Sequence, residues 1–352
     1  MNFLLSPEQI EFQTTVQRFL DDLCPPTRLH ELFDRGEYDA DLWRAMCDLG
    51  LAGIALPEAF GGSGMEMIDL ALVAETLGSR AAPGPFLSHA LAGLAIAWAG
   101  SEAQKQRWLP ALASGECLAS VAFAGESGWQ VEQWMLTGER LHGRLPHVPF
   151  AAAADLLVVG LAGGGLALVE RGAQGLLVEA ENAVDRTRPL GRVSFTDTPA
   201  EHLPGGGLDV AGRLRDAALV LLAADAFGGA SRCVEMAVDY ARIREQFGQP
   251  IGQFQAIKHQ LANMAVEVEP ARGLYWYAAH TFDHVPADAE RYAALAKAHL
   301  ADRFLQTARD TVEVHGGIGY TWECDVQIYL KRAMFDFAFM GNPAYQRSRI
   351  SP

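Results

Sequence analysis

The amino-acid sequence predicts an α+β protein whose 352 residues fold as three consecutive domains. We expect an N-terminal helical domain (1–115), a middle antiparallel β-domain (116–208) and a C-terminal four-helix bundle (209–352). Apolar residues recur at helical spacing in the first third of the chain and again in the last third. Between these parts lie short β-branched stretches that are separated by glycine or charged residues. A chain of this length is also too long for one simple core.

The N-terminal part is predicted to be helical from the sequence SPEQ (6–9) onwards. This sequence offers a capping serine, a proline in the first turn and an amide three residues after the serine. A second helix is expected to end at Gly50. Three glycines predict a loop between Leu56 and Met65 (LPEAFGGSGM). Further helices are expected over 67–77, around 87–98 and over 105–112.

Strands are predicted from Cys117 onwards, in the stretches CLASVAFAG, DLLVVGL, LALVER, GLLVEA and RVSFTD. Their close spacing favours an antiparallel sheet or a small barrel. The stretch GLAGGGLALVE contains a glycine cluster, but a strand is expected after it. Because a dinucleotide-binding fingerprint requires a helix at that point, we interpret the glycines as a hairpin turn.

Four long helices are predicted beyond the glycine-rich stretch 203–208. Short breaks between them favour an antiparallel bundle. The second helix shows an apolar stripe at i, i+3/i+4 spacing. The third has a proline at its start and two glycines at its end. These helices are expected at about 211–247, 254–268, 287–314 and 326–340.

The charge balance, the apolar runs and the cysteines of the chain indicate which partners and which cellular location to expect. Asp and Glu number 43 and Lys and Arg 28, for a net charge of −15, which argues against nucleic acid as a partner. The N-terminus lacks the features of a signal peptide, and we expect no apolar run of the roughly 20 residues that span a membrane. The five scattered cysteines are typical of reduced thiols. The sequence therefore predicts a cytoplasmic protein without membrane insertion.

The stretch YARIREQFGQPIGQFQAIKHQ (240–260) places an arginine and an aromatic residue at a glycine-rich turn. Arg244 offers a planar fork of donors that suits a pyrophosphate, and Phe247 offers a flat apolar surface beside it. The glycines permit close approach of a ligand or a backbone. A structural interpretation stays open, with the arginine in solvent, the phenylalanine in the core and the glycines as a helix stop.

The stretch VEVHGGIGYTWECD (312–325) contains a second glycine-rich helix end. Gly316 and Gly317 can serve as a C-cap. They also leave backbone uncovered for a ligand, so both interpretations stand.

These two stretches resemble the strongest signatures of the acyl-CoA dehydrogenase family. LPEAFGGSGM resembles the family's N-terminal loop, and DRTRPLGRVSF (185–195) resembles a strand of its middle domain. The resemblance implies FAD as the cofactor, an acyl-CoA substrate and an acceptor such as electron-transfer flavoprotein. It further implies that a carboxylate removes the α-proton of the thioester while a hydride moves from the β-carbon to flavin N5.

The residue that the resemblance places at the position of the family's base is Met340, in the stretch FMGNPAYQR (339–347). A minority of the family carries the glutamate early in the first bundle helix, where this chain has Ala218. Neither side chain can accept a proton, so the resemblance implies that this chain supplies no base.

Contacts to the flavin ring are also replaced. The family's middle domain holds the ring with a threonine-containing segment, where this chain has Ala124 or Gly125 in AFAGESGW. After the base position, the family's threonine and glutamine align with Asn342 and Ala344.

A second group of family positions is kept. By resemblance, Arg244, Phe247, Gln255 and the Gly316–Gly317 segment would reach the FAD of a neighbouring subunit, with Glu313 where the family usually has glutamine. The resemblance therefore implies the shorter, base-lacking subunit of a heteromeric enzyme. We expect an α2β2 heterotetramer in which a second acyl-CoA dehydrogenase subunit supplies the base and the flavin pocket. Such pairs are associated with bulky acyl-CoAs, including steroid fragments.

Three alternatives remain open. A homotetramer could use an acid at an unusual position, and Asp225 in the apolar stretch LVLLAADAFGG is the candidate. A binding or scaffold protein could have kept only the fold. His280 and His284 share a helix face, but no third metal ligand is evident from the sequence.

Overall fold

The computed structural model describes residues 4–123, 129–131 and 134–350. The chain forms two compact units, and each is assembled from segments that are separate in sequence. The predicted boundaries at 116 and 209 stay a prediction. The first unit comprises Met1–Arg35, Ala71–Ala82 and Leu219–Pro352, and the second comprises Gly36–Leu70 and Pro83–Ala218.

Helices precede the first strand, as the sequence predicted. Helix α1 begins with the expected capping box: the Gln9 amide donates to Ser6 Oγ (3.2 Å), and the Ser6 amide donates to Gln9 Oε1 (3.1 Å). Helix α2 was not predicted, although its first residue, Pro26, is well suited to the first position of a helix. The helices are α1 (Pro7–Leu23), α2 (Pro26–Arg35), α3 (Ala40–Asp48), α4 (Met67–Ser79), α5 (Phe86–Ala99) and α6 (Glu102–Ser114).

The middle of the chain folds into two small sheets. One has the strand order β1-β3-β4-β7 and the other β2-β6-β5. Their facing side chains form an apolar core that includes Leu141, Val159 and Phe195. The strands are β1 (Ala119–Ala122), β2 (Arg140–Pro149), β3 (Leu156–Leu161), β4 (Gly165–Glu170), β5 (Leu176–Glu181), β6 (Leu190–Pro199) and β7 (Glu201–Leu203).

The expectation of a purely antiparallel middle region needs one correction. Strands β1 and β3 pair in parallel, whereas the other strand pairs of these two sheets are antiparallel. Gly163 and Gly164 lie between β3 and β4, which form the predicted hairpin, and Gly165 is the first residue of β4. Since a strand follows these glycines, the structure confirms that they are not the phosphate-binding turn of a dinucleotide fold.

The last part of the chain is helical, with more elements than the four predicted. The second predicted helix is followed, across a short turn at Glu269–Ala271, by a further helix. The fourth ends at Ala338, two residues before Met340. The helices are α7 (Leu208–Ile243), α8 (Gln255–Val268), α9 (Arg272–His284), α10 (Pro286–His315), α11 (Val326–Ala338) and α12 (Pro343–Ile350).

Within the first unit, α4 and α7 cross with their backbones in contact. A Cβ atom at Gly228 would lie 1.9 Å from the carbonyl oxygen of Glu75. A Cβ atom at Gly78 would lie 2.1 Å from the carbonyl oxygen of Asp225. Each helix therefore needs glycine where the other passes, so this crossing depends on two absent side chains.

Helix α7 is long and apolar enough to cross a membrane by length and composition, contrary to the expectation from sequence. However, 89% of its apolar window is buried inside the protein. Because core helices of globular proteins pass the same test, this helix is weak evidence for a membrane span.

Candidate functional site

The break after α7 is a β-hairpin rather than a simple helical turn. Strand β8 (Glu245–Gln246) pairs with β9 (Gln249–Pro250). Phe247 (φ 54°) and Gly248 (φ 80°) form its two-residue tip. Two successive residues with positive φ are typical of a type I′ turn, which matches the twist of a tight hairpin.

Arg244 lies at the base of this hairpin, one residue beyond the end of α7. The Ile251 amide donates to its carbonyl oxygen at 2.8 Å, which fixes its backbone. Its side chain is exposed and has no hydrogen bond or ion pair among the residues that the structure describes. Arg242, by contrast, lies 3.8 Å from Asp239. The donors of the Arg244 guanidinium are thus open to solvent or to an acceptor from outside the chain.

Phe247 projects from the tip into solvent. It is 94% exposed, and its described ring contact is an edge-on approach to Phe254, with the centroids 6.1 Å apart. The prediction from sequence left open whether this ring lies in the core, and the structure excludes that. An exposed phenylalanine on a backbone unfavourable for non-glycine residues is an unusual arrangement for an isolated chain.

The end of α10 lies beside the last turn of α7, which leads into this hairpin. The rings of Tyr240 and His315 stack at 4.2 Å, which joins the last turn of α7 to the last turn of α10. Gly316 (φ 65°) and Gly317 follow, and a Cβ atom at either position would meet nothing within 4 Å. The backbone here is therefore uncovered, as the sequence allowed.

Two further predicted site residues lie on exposed helix surface in the same unit. Gln255 is the first residue of α8 and is exposed. Glu313 is exposed on α10 and accepts a hydrogen bond from Gln260 Nε2 at 3.2 Å.

Met340 lies in the turn after α11 and is buried, with 4% of its surface exposed. Its φ is 59° and that of Gly341 is 95°. Nε2 of Gln346 donates to the Met340 carbonyl oxygen at 2.6 Å. Ala218, at the other predicted base position, is fully buried in α7.

Asp225, the candidate for an unusual base, is paired across the first unit. Its two carboxylate oxygens accept from Nε (3.0 Å) and Nη2 (2.5 Å) of Arg332 in α11. Nη1 of the same arginine donates to the carbonyl oxygen of Ala82 at 3.0 Å. Both charged residues are buried. A carboxylate held by two donors is poorly disposed to accept a proton, so the geometry favours the structural interpretation of Asp225.

Metal binding receives no support from the geometry. The rings of His280 and His284 lie 4.8 Å apart, as their spacing on α9 implies. Among the described residues, no group of three or more His, Cys, Asp or Glu side chains could hold a metal ion.

Comparison with known proteins agrees with the resemblance. The family model for the acyl-CoA dehydrogenase N-terminal domain matches residues 6–116, and the model for the C-terminal domain matches residues 205–351. The chain belongs to the acyl-CoA dehydrogenase family. Members of this family are oxidoreductases that act on CH–CH bonds, and FAD is their cofactor.

Relatives and solved structures cover nearly the whole chain. The acyl-CoA dehydrogenase IpdE2 of Mycolicibacterium smegmatis is 32% identical over 316 residues, which is 89% of this chain and 88% of the relative. The ChsE4-ChsE5 complex from Mycobacterium tuberculosis contains a chain with 29% identity and a TM-score of 0.90, covering 99% of this chain and 98% of that one. A steroid acyl-CoA dehydrogenase, Tcur3481-Tcur3483, has 30% identity and a TM-score of 0.90, covering 97% and 96%. The predicted fold class is thereby confirmed.

The positions that the resemblance assigns to flavin-ring contacts are only partly described. Asn342 caps α12, because its Oδ1 accepts from the Tyr345 amide at 2.9 Å, and Ala344 is exposed in the first turn of that helix. Ala124 and Gly125 lie outside the described residues.

Sequence reasoning did not identify Lys297 or Gln346. Both side chains are fully buried beside the Met340 turn. A signal for Lys297 existed in ALAKAHL (294–300), where a single lysine interrupts small apolar residues on a helix. Lysine is almost never fully buried unless it is paired, and the buried Asp336 that lies near Lys297 is distant in sequence.

Proposed function

We propose that this chain is the base-lacking subunit of a heteromeric acyl-CoA dehydrogenase. It presents Arg244, Phe247 and the Gly316–Gly317 segment to FAD that a second, complete subunit binds. The assembly is an α2β2 heterotetramer that dehydrogenates an acyl-CoA and passes electrons to electron-transfer flavoprotein or a similar acceptor in the cytoplasm.

The observation that carries this proposal is the hairpin tip. In a chain with 43 acidic residues, Arg244 has no acidic partner among the described residues, and Phe247 beside it is 94% exposed. A planar guanidinium suits the paired oxygens of a pyrophosphate, and an exposed aromatic ring suits a surface that a second molecule covers. Two uncovered glycines at the end of α10 add backbone that a cofactor can approach closely.

The lack of a base supports division of labour between subunits. FAD, when bound, accepts the hydride, so the protein must provide the group that removes the α-proton. Met340 and Ala218 cannot do this, and the Asp225 carboxylate is occupied by Arg332. The two family positions and Asp225 therefore supply no base, which supports a proton acceptor from another subunit.

The solved relatives favour the same assembly. One is described as a complex of two named chains, and another as a steroid acyl-CoA dehydrogenase with two chain names. By analogy, we propose a bulky acyl-CoA, such as a steroid fragment, as the substrate class.

Native mass spectrometry of this chain, alone and co-expressed with a candidate partner subunit, tests the assembly. We expect the chain alone to be poor in flavin and inactive, and the complex to carry half as many flavins as subunits. A homotetramer with one FAD per chain and turnover on an acyl-CoA would contradict the proposal.

Arg244→Ala tests the residue that we assign to the cofactor. We expect FAD in the complex to bind about 10- to 100-fold more weakly, because hydrogen bonds to charged groups contribute about 1.5–3 kcal/mol. Arg242→Ala is the matched control, since that arginine is also exposed in the last turn of α7 but already has a partner in Asp239. Equal flavin affinity in both variants would refute the assignment.

A further inference from the structure

His315 is the last residue of α10, and two contacts hold its ring in one orientation. The ring stacks on that of Tyr240, in the last turn of α7, with the centroids 4.2 Å apart and the planes inclined by 21°. Its Nδ1 lies 2.8 Å from the carbonyl oxygen of Thr311. Both rings are half-buried. Since the stack and the hydrogen bond fix the ring, the direction of its second nitrogen is fixed as well.

The contact to Thr311 decides which ring nitrogen carries the proton. A carbonyl oxygen can only accept, so Nδ1 is the donor, and in the neutral imidazole Nε2 then carries a lone pair. Burial lowers the pKa of His315, which favours this neutral form. Nε2 has no hydrogen-bond partner among the residues that the structure describes. The end of α10 therefore presents an acceptor that lacks a donor from this chain.

This acceptor lies close to Arg244 and to uncovered backbone. The Arg244 amide donates to the Tyr240 carbonyl oxygen at 2.8 Å, so the arginine lies one helical turn, about 5.4 Å, beyond the residue on which His315 stacks. Gly316 follows His315 directly, and a Cβ atom there would meet nothing within 4 Å. A guanidinium rich in donors and a fixed acceptor are thus within reach of one ligand of the size of a nucleotide.

We propose that His315 is a further cofactor-binding residue: its neutral Nε2 accepts a hydrogen bond from the adenosine half of FAD, while Arg244 binds the diphosphate. The inference rests on the proposed function, which assigns FAD to this hairpin. The ionised oxygens of a diphosphate only accept hydrogen bonds, so they suit Arg244 and not Nε2. The ribose hydroxyl groups and the adenine amino group are the donors in the same half of the cofactor. The two side chains therefore set the direction in which the cofactor lies across the chain.

The test measures the FAD affinity of the flavin-free complex with the partner subunit, by quenching of flavin fluorescence. His315→Asn keeps an amide that can donate to Thr311 but lacks the second ring nitrogen, so FAD should bind about three- to tenfold more weakly, the effect of one hydrogen bond. His299→Asn is the matched control, because His299 is also half-buried on α10 and burial lowers its pKa. Unchanged affinity in His315→Asn, or an equal loss in His299→Asn, would overturn the inference.

Acidic pH distinguishes an acceptor from a cation at this position. Protonation turns Nε2 into a donor, so the FAD affinity of the wild type should fall between pH 7.5 and 5.5 toward that of His315→Asn. Titratable or charged side chains of the adjoining elements include Tyr240 on α7, Arg244 beyond it and Glu313 on α10, and both proteins contain them. If the affinity of the wild type instead rises relative to the variant, His315 binds phosphoryl oxygens as a cation and the proposal is wrong.

Two further comparisons identify the donor and separate this inference from the proposed function. A flavin dinucleotide with hypoxanthine in place of adenine lacks the amino group. A loss in His315→Asn with FAD alone assigns the amino group as the donor, and the same loss with both cofactors assigns a ribose hydroxyl. Arg244→Ala, measured alongside, reports on the proposed function. Weaker binding in Arg244→Ala with unchanged binding in His315→Asn refutes only the role of His315, whereas unchanged binding in both refutes both.

Discussion

Helices α7 and α11 lead into turns that share two successive positive φ values and differ in exposure. In each, a non-glycine residue with positive φ precedes a glycine with positive φ: Phe247 and Gly248 in one, Met340 and Gly341 in the other. Phe247 is 94% exposed, whereas Met340 is 4% exposed. One turn has an arginine with no partner among the described residues, and the other has a buried lysine and glutamine. A pair of positive φ values therefore occurs at a turn that displays its side chain to solvent and at a turn that buries it, so the surroundings decide the exposure.

The largest effect on stability is expected for the buried ion pair that joins α7 to α11. Asp225→Ala would leave Arg332 buried without its bidentate partner and should lower the free energy of unfolding by about 3–5 kcal/mol. Asp239→Ala removes an exposed carboxylate from the same helix and should cost at most about 1 kcal/mol. Chemical denaturation of both variants checks this. A loss below about 1 kcal/mol for Asp225→Ala would show that the buried pair does not hold α7 to α11.

The two turn glycines give the next comparison. A Cβ atom at Gly341 would lie 2.3 Å from the Tyr345 ring, whereas one at Gly248 would meet nothing within 4 Å. Gly248→Ala should therefore cost only the left-handed penalty, about 1–2 kcal/mol. Gly341→Ala should cost that penalty and about 1–3 kcal/mol more for overpacking. If urea denaturation shows that both variants lose the same free energy of unfolding, the proposed difference between the two turns is wrong.

The pH dependence of stability should separate the buried turn from the exposed one. Burial lowers the pKa of Lys297 from 10.5 to about 8, so above pH 8 the folded chain loses a proton that the unfolded chain keeps up to pH 10.5. The stability contributed by this group should therefore rise with pH across that window. Comparing denaturation midpoints of wild type and Lys297→Met at pH 7.5, 8.5 and 9.5 measures it. If the gap between the two does not change with pH, Lys297 titrates normally.

The smallest effect is expected at the hairpin tip. In the chain alone, Phe247→Ala should change the free energy of unfolding by less than about 0.5 kcal/mol, because the ring buries almost no surface. The same substitution at Phe254, which is partly buried beside it, should cost more. A loss above about 1 kcal/mol for Phe247→Ala would mean that the ring packs in solution.

Local signals in the sequence were sufficient for much of the fold. The SPEQ start became a capping box, and the proline and glycines that flank α10 mark its ends. Strand β2 was missed because LHGRLPHVP contains histidines, glycine and proline, and it forms because β6 supplies its partner. Pairing with β6 therefore outweighs the low intrinsic strand propensity of the residues in β2.

The candidate site also contains residues that a local stretch of sequence reveals and residues whose role depends on partners distant in sequence. Arg244 and Phe247 were predicted as site residues because their glycine turn is part of a contiguous stretch that resembles a family signature. Asp225 could not be assigned, since its partner Arg332 lies 107 residues away. The role of Lys297 was equally hidden, because the carbonyl groups that it contacts lie 39 and 44 residues further along the chain.

The crossing of α4 and α7 has a consequence for the evolution of the chain. Gly78 faces the backbone of Asp225, and Gly228 faces the backbone of Glu75. Neither contact involves a side chain on the opposite helix, so no second substitution there could make room for a first. Each of the two positions is therefore expected to remain glycine among related proteins, without correlated substitutions between them. Methods that infer contacts from correlated substitutions should therefore find no signal from these two glycines, although the two helices touch there.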